Sequence, residues 1–147
     1  MRVAPGVPRG LTQVRCTFKT LAQSEVQVPE NPQRGEIPLC QRSAEHLLQG
    51  DLQGQGHMEY LLSPCQDADG DLIFSGYERI VGCLNGVAGS LVVHHEGVIS
   101  PVLGLSGALS VVPGSGTEGF LGASGDGTVM ASGAGQTGEY LLFLRWD

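Results

Sequence analysis

Two runs decide the fold: Phe74-Ser75-Gly76-Tyr77-Glu78-Arg79-Ile80-Val81-Gly82 and Gly89-Ser90-Leu91-Val92-Val93-His94-His95-Glu96-Gly97, joined through Leu84-Asn85-Gly86-Val87. Both alternate with a period of two, the mark of strands with one buried face. Asn-Gly between them is a hairpin signal, because a type I′ turn needs positive φ at both central residues. A two-residue turn here sets Leu84 opposite Val87. Counting outward then places Ile80 opposite Leu91, Glu78 opposite Val93, Gly76 opposite His95 and Phe74 opposite Gly97. Every pair joins the two apolar faces, so turn chemistry and polarity give the same register.

The pattern continues in both directions. Short alternating segments separated by Gly-rich turns predict strands near 11–21, 40–49, 52–62, 72–82, 88–99, 102–112, 117–130 and 138–146. Asp69-Gly70 reads as a second hairpin turn and Pro113-Gly114-Ser115-Gly116 as a third. Residues 29–38 form one long irregular loop, and Ala44–Gln49 has some local helical propensity between strand-like flanks. In the last strand Tyr140, Leu142, Leu144 and Trp146 make one large apolar face. Glu139 and Arg145 share the other with Leu141 and Phe143. Eight sequential strands with short turns predict an all-β, antiparallel up-and-down barrel, similar in outline to calycins and lipocalins, since closure removes exposed edges.

The 147 residues suit one domain spanning 1–147, with residues 1–10 as a flexible N-terminal segment. Gly is 23 of 147, about twice its usual share, while charged residues are 16% and aromatics 5%. A net charge of −7 with scattered Lys and Arg repels phosphate backbones, which argues against nucleic-acid binding. No apolar run is long enough for a membrane helix, and the N-terminus lacks the apolar region of a signal peptide, so a cytoplasmic protein is expected. Cys16, Cys40, Cys65 and Cys83 have no Cys-x-x-Cys spacing, which predicts no zinc site. Whether Cys16 and Cys40 pair is left open by spacing alone.

Several local patterns carry no chemistry. Pro113–Thr117 and Gly50–Gly56 are Gly-rich, but neither has the Lys and following helix of a phosphate loop. Asp67, Asp69 and Asp71 alternate as in a calcium loop, yet Leu72 stands where such a loop needs Gly. Ser63, Ser115 and Ser124 lack a nucleophile elbow. No metal and no cofactor are expected.

Four motifs in order resemble a known family. They are Gly50-Asp51-Leu52-Gln53-Gly54-Gln55-Gly56 with Glu59-Tyr60-Leu61, then Phe74–Gly82, then Gly89–Gly97, then Val111-Val112-Pro113-Gly114-Ser115-Gly116-Thr117. Together they look like an uncharacterised bacterial family of small β-barrels related in fold to plant allene oxide cyclase and dirigent proteins. The resemblance covers residues 11–147. It implies an allene oxide cyclase-like barrel and, by precedent, cofactor-free steering of reactive intermediates in an apolar cavity. Glu118-Gly119-Phe120 departs from the Gly-Glu-Leu-like run of the family, and no role is carried over to Glu118.

The residues that stand out are polar groups on apolar strand faces. Glu78 shares a face with Leu72, Phe74, Gly76 and Ile80, and His95 with Leu91, Val93 and Gly97. An unpaired charge there is costly, so each belongs to the exterior, makes a structural hydrogen bond, or serves a cavity. The hairpin register makes them diagonal neighbours, with Cβ atoms roughly 7–8 Å apart. Glu78 and His95 are therefore the expected catalytic pair. Tyr60, Phe74, Val93, Tyr140, Leu142, Trp146 and His46 are the expected ligand-binding residues. Polarity alone puts Glu59 outside and Tyr60 inside, but the family resemblance adds Glu59 to the candidates.

Few large aromatic fillers and many glycines predict a cavity, and an eight-stranded barrel either fills its interior or holds one small ligand. The expected function is a cofactor-independent cyclase or isomerase of specialised metabolism, acting on an apolar polyketide-like or polyunsaturated molecule. The alternatives are a non-catalytic carrier barrel for an apolar ligand and a structural domain with a filled interior. Outer faces such as Leu141 with Phe143 leave a homodimer open.

Overall fold

The computed structural model describes residues 10–64, 70–133 and 136–146. Its strands are β1 (Gly10–Val28), β2 (Leu39–Gly50), β3 (Leu52–Pro64), β4 (Leu72–Leu84), β5 (Val87–Ser100), β6 (Gly104–Val111), β7 (Thr117–Glu118), β8 (Ala123–Ala131) and β9 (Thr137–Trp146). Successive strands pair antiparallel, and β9 returns to pair with β1. The result is a closed eight-stranded up-and-down barrel, with the two-residue β7 outside it against β5. There is no helix among the described residues, and so none long and apolar enough to cross a membrane. The Ala44–Gln49 segment lies wholly within β2.

Asn85 and Gly86 have φ of 52° and 78°, as a type I′ turn demands. The β4–β5 pairing follows from that turn: Ile80 faces Leu91, Glu78 faces Val93, Gly76 faces His95 and Phe74 faces Gly97. The Asp69-Gly70 turn lies partly outside the described residues, as do Cys65 and Asp67. Cys16 and Cys40 are free thiols, paired across the sheet with Gly50 and Gln27 respectively, at different levels of the barrel.

Three strand limits differ from expectation. A single strand over 117–130 does not form. Glu118 takes a φ of 51°, and the chain turns through Phe120 N–H to Thr117 C=O, Leu121 N–H to Glu118 C=O and Ala123 N–H to Phe120 C=O. This excursion tucks Phe120, 1% exposed, into the core. β6 begins at Gly104 rather than 102, because Ser100 Oγ accepts the N–H groups of Val102 and Leu103 and holds them in a turn.

The third difference matters most for the site. β1 runs to Val28 instead of ending near 21. Thr20 pairs with His46 and Ala22 with Glu45, so Leu21 is the extra residue of a bulge. A bulge reverses which side chains face inward. Thr20 precedes it on the inner face, and Gln23 and Glu25 follow on that same face, opposite Ala44 and Arg42. Beyond Thr20, whose N–H still donates to Gln136 C=O at 2.8 Å, β1 pairs only with β2, so the hairpin stands above the barrel rim.

The interior is packed rather than roomy. Leu52, Leu84, Phe120 and Trp146 seal one end, and Val14, Leu48, Ile80, Leu91, Val93, Leu142 and Leu144 fill the middle. Each such buried aliphatic side chain contributes about 1.5–3 kcal/mol relative to exposure. Branched aliphatics thus do the filling that the scarce aromatics do not.

Candidate functional site

Strand alternation sends His46 from β2, Glu78 from β4, His95 from β5 and Tyr140 from β9 into one interior layer, and all four are buried. Barrel closure brings them together. His46 Nδ1 lies 2.8 Å from Glu78 Oε2, and His95 Nε2 lies 2.9 Å from Oε1. The Tyr140 hydroxyl donates to Oε1 at 2.7 Å. Glu78 is fully buried, and the space for its carboxylate comes from β3: a Cβ on Gly56 would stand 1.9 Å from Oε2. Phe18 packs against His46 and Tyr140 with ring centroids 5.1 and 5.0 Å away.

Burial alone pushes the Glu78 carboxyl up, but hydrogen bonds from His46 and His95, and then their charges, outweigh it and hold it at about 2. Glu78 is therefore an ionised carboxylate, which only accepts. Three protons must point at it, on His46 Nδ1, His95 Nε2 and Tyr140 Oη. Burial, then the Glu78 charge, raises Tyr140 well above its ordinary value, so its proton stays in place. The opposite ring nitrogens, His46 Nε2 and His95 Nδ1, have no hydrogen-bond partner among the described residues. Nor are they sealed off, since Trp146 Nε1 is the one fully enclosed side-chain polar atom left unpaired among those residues. One buried anion thus fixes the orientation of two imidazoles.

Both imidazoles and Tyr140 line a cavity that leads to the end opposite Trp146. Phe18, Met58, Phe74 and Val129 form its apolar walls, and Thr20, Gln23, Arg42 and Tyr60 its mouth. Its free volume is only about 30 Å³, enough for one water and too little for an organic ligand with the side chains as they stand. Arg42 narrows the mouth, donating from Nε and Nη2 to Glu25 Oε2 at 3.1 and 3.0 Å and lying 5.7 Å from the centre of the Tyr60 ring.

Of the residues expected at the site, His46, Tyr60, Phe74, His95 and Tyr140 line this cavity, with Glu78 behind the imidazoles. Val93 and Leu142 are interior but belong to the packed core, and Trp146 sits at the sealed end beside Gly10 and Ala123. Glu59 is on the outer face, where it accepts from Ser43 Oγ at 2.6 Å and contacts His57 Nε2 at 2.5 Å, so it takes no part in the interior. Gly76 gives its space to Tyr60 on β3, where a Cβ would meet Tyr60 Cβ at 2.3 Å, rather than to the imidazole opposite. Sequence reading missed Arg42, Phe18 and Gly56. The alternation Arg42, Ala44, His46, Leu48 was a usable signal for the first. Among the described residues no group of three or more His, Cys, Asp or Glu is placed to hold a metal.

Comparison with known proteins gives a family and a fold. No curated protein matches the chain. Among solved structures, a protein of unknown function from Shewanella oneidensis, itself of the DUF3224 family, is similar at a TM-score of 0.70 and 22% identity. The match covers 94% of this chain and 99% of that one, and at this identity it shows the barrel alone. The family model described as "Protein of unknown function (DUF3224)" matches residues 14–143, and the chain belongs to that family.

Proposed function

We propose that this barrel is a cofactor-independent isomerase or cyclase for an apolar small molecule, polyketide-like or polyunsaturated, that enters past Arg42 and Tyr60. One observation carries the reading: a fully buried Glu78 carboxyl is hydrogen-bonded to two imidazoles beside an apolar cavity. Burying a carboxylate among histidines is a poor way to gain stability, because a well-packed apolar substitute is often equal or better. Buried, charge-coupled groups at a cavity instead mark functional sites. Glu78 itself, with both oxygens occupied, orients; the imidazoles do the chemistry. An isomerisation needs one proton removed and one returned, and His46 Nε2 and His95 Nδ1 supply two positions for this exchange. The apolar walls fold the substrate toward them. The expected relation in fold to allene oxide cyclase, which the sequence motifs imply, points to the same reading. Tyr60 and Arg42 must swing aside to admit a ligand.

The test is incubation in D₂O of the protein with polyunsaturated and polyketide extracts, followed by mass spectrometry. The expected product is an isomer of its substrate carrying solvent deuterium, formed at least about 100-fold more slowly by His46→Ala and His95→Ala. A ligand that co-purifies and is always recovered unchanged would instead establish a carrier barrel.

A further inference from the structure

Among the described residues Arg42 is the one Lys or Arg side chain lining the cavity, and nothing in the proton-transfer chemistry uses it. Its side chain is 17% exposed, while that of its partner Glu25 is 49% exposed. Glu25 offers a single oxygen, Oε2, which also accepts from the Cys40 thiol at 3.0 Å. Nη1 has only a long contact of 3.4 Å to the Tyr60 hydroxyl. A guanidinium carries five N–H donors in a planar fork suited to a carboxylate, so this one is under-used. Glu25 reaches it only because the Leu21 bulge turns that carboxylate inward.

Resting on the isomerase reading, we propose that Arg42 recognises the acid group of the substrate, which is an apolar monocarboxylate, and that Glu25 is a stand-in the substrate displaces. The Glu78 carboxylate behind the imidazoles disfavours a second negative charge on the ligand. Arg42 and His46 are four residues apart on one strand face, which separates their Cα atoms by roughly 13 Å. The acid group is therefore remote from the reacting carbon, and it anchors the molecule at the mouth while the apolar body reaches the imidazoles.

Titration with naphthalene-2-carboxylate and its neutral methyl ester, followed through the His46 and His95 ring signals by NMR, tests this in the full chain. We expect the acid to bind at least tenfold tighter than the ester. Arg42→Gln should lose at least tenfold for the acid and less than twofold for the ester. Arg42→Lys should keep most of the preference, and Glu25→Gln should strengthen acid binding severalfold. Equal losses for both ligands in Arg42→Gln, or no preference for the acid in the wild type, would overturn the role of Arg42 and leave the isomerase reading standing. If neither ligand moves the two ring signals, the role of Arg42 falls, and the isomerase reading is decided separately by deuterium incorporation.

Discussion

Gly56 makes room for Glu78. The two are on adjacent strands, two residues out of direct register on the same face, and the carboxylate occupies the volume that a side chain on Gly56 would take, 1.9 Å from its Cβ position. All three nearest atoms around that position belong to the Glu78 side chain.

Gly56→Ala should therefore act on the polar layer rather than on the backbone. The methyl group displaces the carboxylate from His46, at a cost of about 1–3 kcal/mol typical of overpacking. Urea denaturation should show the loss, and the His46 ring signal should move in the NMR spectrum. A variant as stable as wild type with unchanged His46 signals would show that the carboxylate is free to relocate.

Removing partners of Glu78 should give a graded series. Tyr140→Phe deletes one hydrogen bond to a buried anion and should cost about 1.5–3 kcal/mol. Glu78→Ala strips the shared acceptor from the Tyr140 hydroxyl and two imidazoles and should cost about 3–5 kcal/mol. Denaturant midpoints decide the order, and equal losses would contradict Glu78 as the common acceptor.

Acid should weaken the fold through the same group. The Glu78 carboxyl lies at about 2 in the fold against an ordinary 4.5. A depressed carboxyl stabilises fully above its unfolded value and loses that contribution as pH falls from 4.5 toward 2, here roughly 3 kcal/mol. The difference in unfolding free energy between wild type and Glu78→Gln, taken at pH 7 and pH 3, isolates it from the other carboxylates. That difference should shrink at the lower pH, and a constant gap would mean that Glu78 is not ionised in the fold.

The sequence made the β4–β5 half of this site legible and hid the rest. Asn85-Gly86 fixes a local register, and Glu78 and His95 meet because only a two-residue turn separates their strands. His46 and Tyr140 approach Glu78 from β2 and β9, which are 94 residues apart and joined through barrel closure. No local turn encodes that closure. The Leu21 bulge was equally hidden, since a single inserted residue leaves no trace in an alternating pattern. It nevertheless decides that Glu25 meets Arg42. The size of the cavity is not legible from composition, because a shortage of aromatic residues says little about volume when Leu, Ile and Val fill an interior this narrow.

The central claim is that an ionised Glu78 fixes the protons of two imidazoles and leaves their opposite nitrogens facing the cavity. Long-range ¹H–¹⁵N correlation of the histidine rings, with the ¹³C shift of the Glu78 carboxyl across pH, tests it most directly. At neutral pH the account predicts an ionised Glu78, with protons on His46 Nδ1 and His95 Nε2. It also predicts that the carboxyl titrates near 2. A Glu78 carboxyl that is protonated at neutral pH, or ring protons on His46 Nε2 and His95 Nδ1 with none on the nitrogens facing Glu78, would contradict it.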